Sequence, residues 1–352
     1  MRVVVVFFLF VSFLFAKIHI TLPEKPFDVY YKKGKLDGPK ILIVGGIHGD
    51  EIAGYKSADL LADVEVLKGE LLIIPRANFL AILNNSRGYN GDLNRKFKKI
   101  KSNDKDKKRV EAIKSTILNF KPDVLISLHE GYGFAKNSKR AWGNSIVIDE
   151  KKFANFDLLK TANFVKNSVN RDLKYKISVK NTTTFSNPRK INLETFMLTD
   201  WGLRQNIKSF AIESSKNMEL KERVKTHLLM LENFFNYYGL KIKPSMEELL
   251  ERFSQKQKTP TIVMKINNKV LKVNQEKTLL VEEGSKVEVL DVRGPRGSFI
   301  VPRGVDLNWK SFRFRNVAFD VKIDSKRVFT IRVKEVNRYA THHKTGTNKK
   351  LN

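Results

Sequence analysis

Short apolar runs alternate with amphipathic stretches from Lys17 to about Leu240, a pattern that predicts buried strands separated by covering helices. The runs KILIVGG, ELLIIPRAN, DVLISLHE, NSIVIDE and SFAIESS read as strands, because they are short, rich in β-branched residues and bounded by turn or polar positions. EIAGYKSADLLADV and RVEAIKSTILNF repeat their apolar residues at helical spacing. In MELKERVKTHLLMLENFFNYYG the apolar positions 220, 224, 228, 231 and 235 line one helical face, and Gly239 supplies the stop. The expectation is an α/β domain over residues 17–243, a mixed sheet flanked by helices.

Past a linker at 244–258 the texture changes. TIVMKI, TLLVEE, KVEVLDV, VAFDVKI and VFTIRVKEV are strand-like runs punctuated by NN, EEG and RGPRG, which predicts an all-β module over 259–336 with a barrel or immunoglobulin-like form. The module holds no cluster of His, Asp and Glu suited to catalysis. Residues 337–352 form a basic tail, and His342 and His343 belong to it rather than to a site.

The first residues have a different character: one positive charge, an apolar run from Val3 to Phe15 and a small Ala16. This is the outline of a signal peptide, 1–16, too short to span a bilayer as a helix of roughly 20 residues. Cleavage falls near Ala16, although Leu14 is a poor residue for the minus-three position. Export to the periplasm, with no membrane span left after cleavage, is the expectation.

Of 352 residues, 41 % are hydrophobic, which fits a globular chain and excludes global disorder. The absence of cysteine excludes disulfides, thiolate ligands and a catalytic thiol, so any metal must be held by His and carboxylate. A formal charge of +29 calls for an anionic partner: nucleic acid, an acidic membrane or an acidic wall polymer. Export makes nucleic acid the weakest of the three, and no nucleic-acid-binding signature is present.

Candidate chemistry gathers at strand ends. His48 follows the run ILIVGG within GGIHGDEIAGY, three positions before Glu51; His129 closes DVLISLHE, and Glu213 closes SFAIESS. Each alone has an ordinary reading, as a turn residue, a boundary histidine or an exposed strand end. Together they occupy equivalent places, and in open α/β sheets ligands collect at the carboxyl ends of strands. Two imidazoles and one carboxylate make a three-point zinc site with a fourth position left for water, and Glu213 is the candidate general base and acid. In SRGYNGDLNRKF, Asn94 and Arg95 offer an amide and a guanidinium fork suited to a free carboxylate, and Arg87 could grip the same substrate or an oxyanion. Asp50, between His48 and Glu51, reads as a turn residue or as one placed to orient an imidazole. Glu130, directly after His129, should point away from it. His19 reads as a strand residue and His227 as a helix residue. The basic run KFKKIKSNDKDKKR reads as a solvated loop that could also concentrate a charged substrate.

GGIHGDE, GDLNRKF, the histidine of SLHEG and the glutamate of AIES, in this order, resemble the zinc carboxypeptidase superfamily that also contains the succinylglutamate desuccinylases and aspartoacylases. RAWGNSIVIDE and the following β region are most similar to the cell-shape-determining D,L-carboxypeptidases of helical bacteria. The resemblance implies zinc-dependent trimming of peptidoglycan stem tripeptides to dipeptides, with release of meso-diaminopimelate. It implies His48, Glu51 and His129 as zinc ligands, Asn94 and Arg95 as holders of the terminal carboxylate, Glu213 as catalytic base, and Arg87 and Trp142 as substrate contacts. Members of that group carry two β modules, so one is expected to be missing or reduced here. Two other readings stay open: an N-acyl-amino-acid amidohydrolase with the same zinc set, and a non-catalytic relative that grips wall peptides.

Overall fold

The computed structural model describes residues 17–187 and 197–336. The expected signal segment and basic tail lie outside them. Strand β1 (Ile18–Thr21) comes first, followed by β2 (Tyr30–Lys33), β3 (Leu36–Val44), helix α1 (Ile52–Leu61) and β4 (Glu65–Ile74). Next come α2 (Phe79–Asn84), α3 (Lys107–Phe120), β5 (Val124–Gly131) and β6 (Ser145–Ile148). A small hairpin of β7 (Lys152–Phe153) and β8 (Phe156–Asp157) leads into α4 (Leu158–Asp172), β9 (Ser178–Asn181), α5 (Leu198–Arg204) and β10 (Lys208–Ser215). Helix α6 (Leu220–Tyr238), β11 (Lys241–Lys243) and α7 (Met246–Phe253) complete the α/β part.

The chain divides into two compact units, and the α/β unit spans 25–258 with the short segment 324–326. Its eight-stranded sheet runs β11-β4-β3-β5-β10-β6-β9, with β2 also on β4. The central strands β4, β3, β5 and β10 are parallel, so their carboxyl ends share one edge, whereas β6 lies antiparallel to β10. Strand alternation sorts the core into two layers. Ile41, Ile43, Ile126, Leu128, Phe210 and Ile212 face the cluster that includes α1, α4, α6 and α7, while Leu42, Val44 and Leu125 face α3 and α5. Both layers are apolar because strands covered on both faces have no solvent side. Gly239 stops α6 as expected, in the left-handed conformation at φ 83°.

The other unit is all β: β12 (Thr261–Ile266), β13 (Lys269–Val273), β14 (Lys277–Glu282), β15 (Lys286–Arg293), β16 (Ser298–Pro302), β17 (Ser311–Phe314), β18 (Asn316–Ile323) and β19 (Lys326–Val336). Its sheets run β13-β12-β15-β1-β17 and β14-β19-β18-β16 around one apolar cluster. Two expected boundaries shift. Residues 17–24 do not start the α/β domain: β1 pairs with β15 and β17, burying Ile18 and Ile20 in the β core while His19 stays on the other face. The stretch expected as a linker carries α7, which opens with a Ser245–Glu248 capping box and buries Met246 and Leu249 in the α/β core. Among the described residues no helix is long and apolar enough to cross a membrane.

Candidate metal centre and active-site cavity

His48, Glu51 and His129 are brought together by three different pieces of backbone. His48 lies in the turn after β3, Glu51 is the N-cap of α1, and His129 sits near the end of β5. The turn needs its glycines. A Cβ at Gly49 would lie 2.0 Å from the carbonyl carbon of Ala81, and one at Gly54 would lie 2.8 Å from the carbonyl oxygen of Leu128. Small residues therefore let the His48 turn settle on α2 and let α1 settle on β5, which closes the distance between the three side chains.

One donor atom from each side chain lies within 4.8 Å of the others, and all three residues are buried. The two Glu51 oxygens reach Nδ1 of His48 and Nδ1 of His129, both at 2.8 Å, and those nitrogens face each other at 3.2 Å. The outward nitrogens are held separately: His48 Nε2 donates to Asp92 at 3.0 Å, and His129 Nε2 lies 2.9 Å from Ser127 Oγ. With the protons on Nε2, both Nδ1 lone pairs converge on one point beside a carboxylate. Two lone pairs facing at that range repel unless a cation lies between them, so the donor set fits a metal ion.

The carboxylates around these donors favour a positive charge there, which a bound cation would supply. Burial pushes His48 down, but Glu51 and Asp92 outweigh it and raise the imidazole to about 9. Burial alone would raise Glu51; the two imidazoles instead hold it well below the usual carboxylate range. Asp92 is also held low against burial, by its bond to His48 and by Arg87.

Glu213 stands directly opposite His129 in the parallel β5/β10 ladder, so both side chains leave the same face of the sheet. It lines a cavity of about 480 Å³ together with His48, Glu51, His129, Arg87, Asn94, Arg95 and Trp142. Burial, and then the Glu51 carboxylate, push Glu213 well above its ordinary value. All eight residues to which the sequence assigns a metal, catalytic or substrate role therefore border one space.

Their bonding differs in detail from expectation. Asp92 caps the short turn Leu93–Arg95 through Asn94 N–H and accepts from both His48 and Arg87, so it is the hub that the sequence reading overlooked. Its place in GDLNR was the available signal, since Asp at a turn start is a capping residue. Asn94 Oδ1 accepts the Leu198 amide, which leaves its NH2 as the group to offer. Arg87 is 3.6 Å from Glu51 and pairs with Asp92. Asp50 does not orient an imidazole; it pairs with Lys216 at 2.7 Å, and Asp92 and Ser127 take the orienting role. Lys96, at the head of the basic run, is not solvated: its ammonium bonds Asn90 O, Asp104 and Asp106 and secures the Asn94–Arg95 loop.

Glu130 points away from the metal donors, as alternation requires, but it is not idle. Its carboxylate accepts Ala53 N–H and Arg223, with Ser214 Oγ at 3.4 Å, and Ser214 in turn meets buried His227.

The sequence matches the model of the peptidase family described as "Carboxypeptidase controlling helical cell shape catalytic" over residues 1–252. Among solved structures, the product-bound cell shape determinant protein Csd4 from Helicobacter pylori superposes with a TM-score of 0.68 at 23 % identity, covering 89 % of this chain and 77 % of that one. The tripeptide-bound form gives the same score and identity, with 89 % and 78 % covered. The mDAP-bound form of the same Helicobacter pylori protein, a D,L-carboxypeptidase, gives 0.58 at 22 %, with 87 % and 100 % covered. No curated protein matches the sequence. The structural likenesses establish the fold, with an α/β part followed by a β-only region. The family match over well more than half the chain, with a His-Glu-His metal site inside it, makes this protein a metallocarboxypeptidase of the family that controls helical cell shape.

Proposed function

We propose that this protein is a zinc-dependent D,L-carboxypeptidase that shortens peptidoglycan stem tripeptides to dipeptides in the periplasm, releasing meso-diaminopimelate. The observation that carries the proposal is the meeting of three metal donors, a carboxylate on the adjoining strand and an Asn-Arg pair in a single cavity. The apolar segment Val3–Phe15 supports export. The relative of like fold, Csd4, supports the substrate, since it was solved both with a tripeptide and with mDAP.

His48, Glu51 and His129 would hold the zinc, which when bound would supply Lewis acidity, lowering the pKa of water from 15.7 to about 7 and polarising a carbonyl. The protein's own groups do the rest. The terminal carboxylate of the tripeptide takes the guanidinium of Arg95 and the NH2 of Asn94, an arrangement that fixes which amide lies beside Glu213. Glu213 accepts a proton from the attacking water as its oxygen bonds to the γ-carbonyl carbon of D-glutamate. The carbon–nitrogen bond then breaks, and Glu213 returns that proton to the departing amine. Arg87, beside the metal donors, stabilises negative charge on the former carbonyl oxygen. Trp142 forms part of the cavity wall against which the peptide lies.

Mass spectrometry of muropeptides incubated with the zinc-loaded protein tests this, with Glu213→Gln in parallel. Tripeptides shortened to dipeptides by the wild type alone are expected. Unchanged muropeptides would overturn the reading, and cleavage of small N-acyl amino acids instead would redirect it to the amidohydrolases.

A further inference from the structure

Four cationic side chains border the cavity: Arg87, Arg95, Arg140 and Lys216. Arg87 is committed to Asp92 and Glu51, and Lys216 to Asp50. Arg95 donates to the carbonyl of Asn94 and has no carboxylate partner among the described residues, which suits its proposed role. Arg140 has no carboxylate partner among them either, and its only bond is through its backbone N–H, to Ser138 Oγ at 3.2 Å. A site built for one terminal carboxylate needs one such free fork; this one presents two.

The backbone under Arg140 is fixed although its side chain is free. The ammonium of Lys180 donates to the carbonyls of Lys139 and Ala141, the residues on either side of Arg140, at 2.8 and 2.7 Å. The loop that carries them is closed by Ala135 N–H to Gly143 O at 2.8 Å and by Trp142 N–H to Tyr132 O at 3.2 Å. Lys180 also lies 4.9 Å from the centre of the Trp142 ring, so the same cation supports both the loop and a cavity wall. The anchored backbone fixes where the exposed Arg140 side chain starts, beside the cavity, and its planar fork matches a carboxylate at two points. Among the described residues no hydrogen bond or ion pair uses that fork.

We infer that Arg140 is a specificity-determining residue that binds a second carboxylate of the substrate, distinct from the terminal one. The inference rests on the proposed peptidase reading, under which two groups could supply it: the distal carboxylate of the diaminopimelate side chain, and the α-carboxylate of the γ-linked D-glutamate. The chemistry recognised is the same for both. A lysine-ended stem peptide lacks the first, and an isoglutamine-containing one lacks the second.

The test measures kcat/KM of the zinc-loaded wild type, Arg140→Gln and Arg140→Lys on three tripeptides: the diaminopimelate form, its lysine analogue and its isoglutamine analogue. Calorimetric binding of the same peptides to zinc-loaded Glu213→Gln protein, with and without Arg140→Gln, is read alongside. The wild type should prefer the full substrate over one analogue by about tenfold or more, mainly in KM, the worth of one charged hydrogen-bonded contact. Arg140→Gln should erase that preference while leaving the rate on the same analogue little changed, and Arg140→Lys should restore part of it; which analogue loses discrimination names the source. An equal loss on all three peptides, or none, would overturn the subsite while the hydrolase stands. Arg140-dependent binding without cleavage by the wild type would preserve the subsite and overturn the reaction. Neither binding nor cleavage would overturn both.

Discussion

Glu130 accepts the backbone amide of Ala53 at 2.9 Å, so the residue that follows one metal donor holds the start of the helix that begins at another. Glu51 is the N-cap of α1 but makes no side-chain cap bond, because its carboxylate faces the two imidazoles. Glu130 supplies the missing acceptor from the neighbouring strand and thereby links the backbone of His129 to that of Glu51. Glu130→Ala should cost about 1 kcal/mol for the lost cap, and more for leaving Arg223 unpaired. It should also weaken metal binding about tenfold by loosening Glu51. Chelator competition on the folded variant checks the second effect; an affinity equal to the wild type would confine Glu130 to stability.

Asp92 joins the metal donors to the substrate side, holding His48 Nε2, the Asn94 amide and Arg87 at once. Asp92→Ala should lower metal affinity by 10- to 100-fold, roughly the loss found when an outer partner of a metal-bound histidine is removed. It should raise KM as well, since the Asn94–Arg95 turn loses its cap. Cobalt substitution gives a spectroscopic check, with an altered ligand-field spectrum expected even where cobalt is saturating.

Gly49 and Gly239 separate two reasons for conserving space or conformation. A Cβ at Gly49 meets backbone at 2.0 Å, whereas Gly239, at φ 83°, has nothing within 4 Å. Gly49→Ala must move the His48 turn off α2, at about 1–3 kcal/mol or more, and should abolish tight metal binding. Gly239→Ala pays only left-handed strain of roughly 1–2 kcal/mol and should keep full activity. Denaturant melts and metal titrations of the two variants check the contrast.

Asp200 is a buried acid whose Oδ2 has no hydrogen-bond partner among the described residues. Burial, with Asp149 adding to it, raises the carboxyl to about 7, although Arg204 and Lys98 pull the other way. The unfolded chain ionises near 3.9. Between about 4 and 7 the folded protein therefore binds more protons than the unfolded one, so stability falls as pH rises through that window. Asp200→Asn should flatten this slope and stabilise the protein above pH 7 relative to the wild type. Thermal melts from pH 4 to 8 check the sign; parallel curves for the two proteins would refute it.

Periodicity made the core of the α/β unit legible, because strands buried on both faces must be apolar throughout and helices covering them must repeat at helical spacing. The strands carrying His129 and Glu213 were read in place for that reason. The strand Ile18–Thr21 was legible as a strand but not as a partner of β15 and β17, since pairing across more than two hundred residues leaves no local trace. The helix Met246–Phe253 is hidden in a linker-like stretch because a short helix among charged residues shows its apolar face in only a few positions.

The sequence by itself determined the donor types and their order: no thiol was possible, His48, His129 and Glu213 each stood at the end of an apolar run, and Glu51 lay three positions past His48. Only the tertiary structure decided how those residues are held, because orientation depends on partners far away in the chain. Asp92 rather than Asp50 fixes His48, Glu130 reaches across to Ala53, and Lys180 fixes the loop of Arg140 from forty residues off. Strand pattern sets which face a side chain leaves from, but hydrogen bonds formed in the folded protein set where it ends.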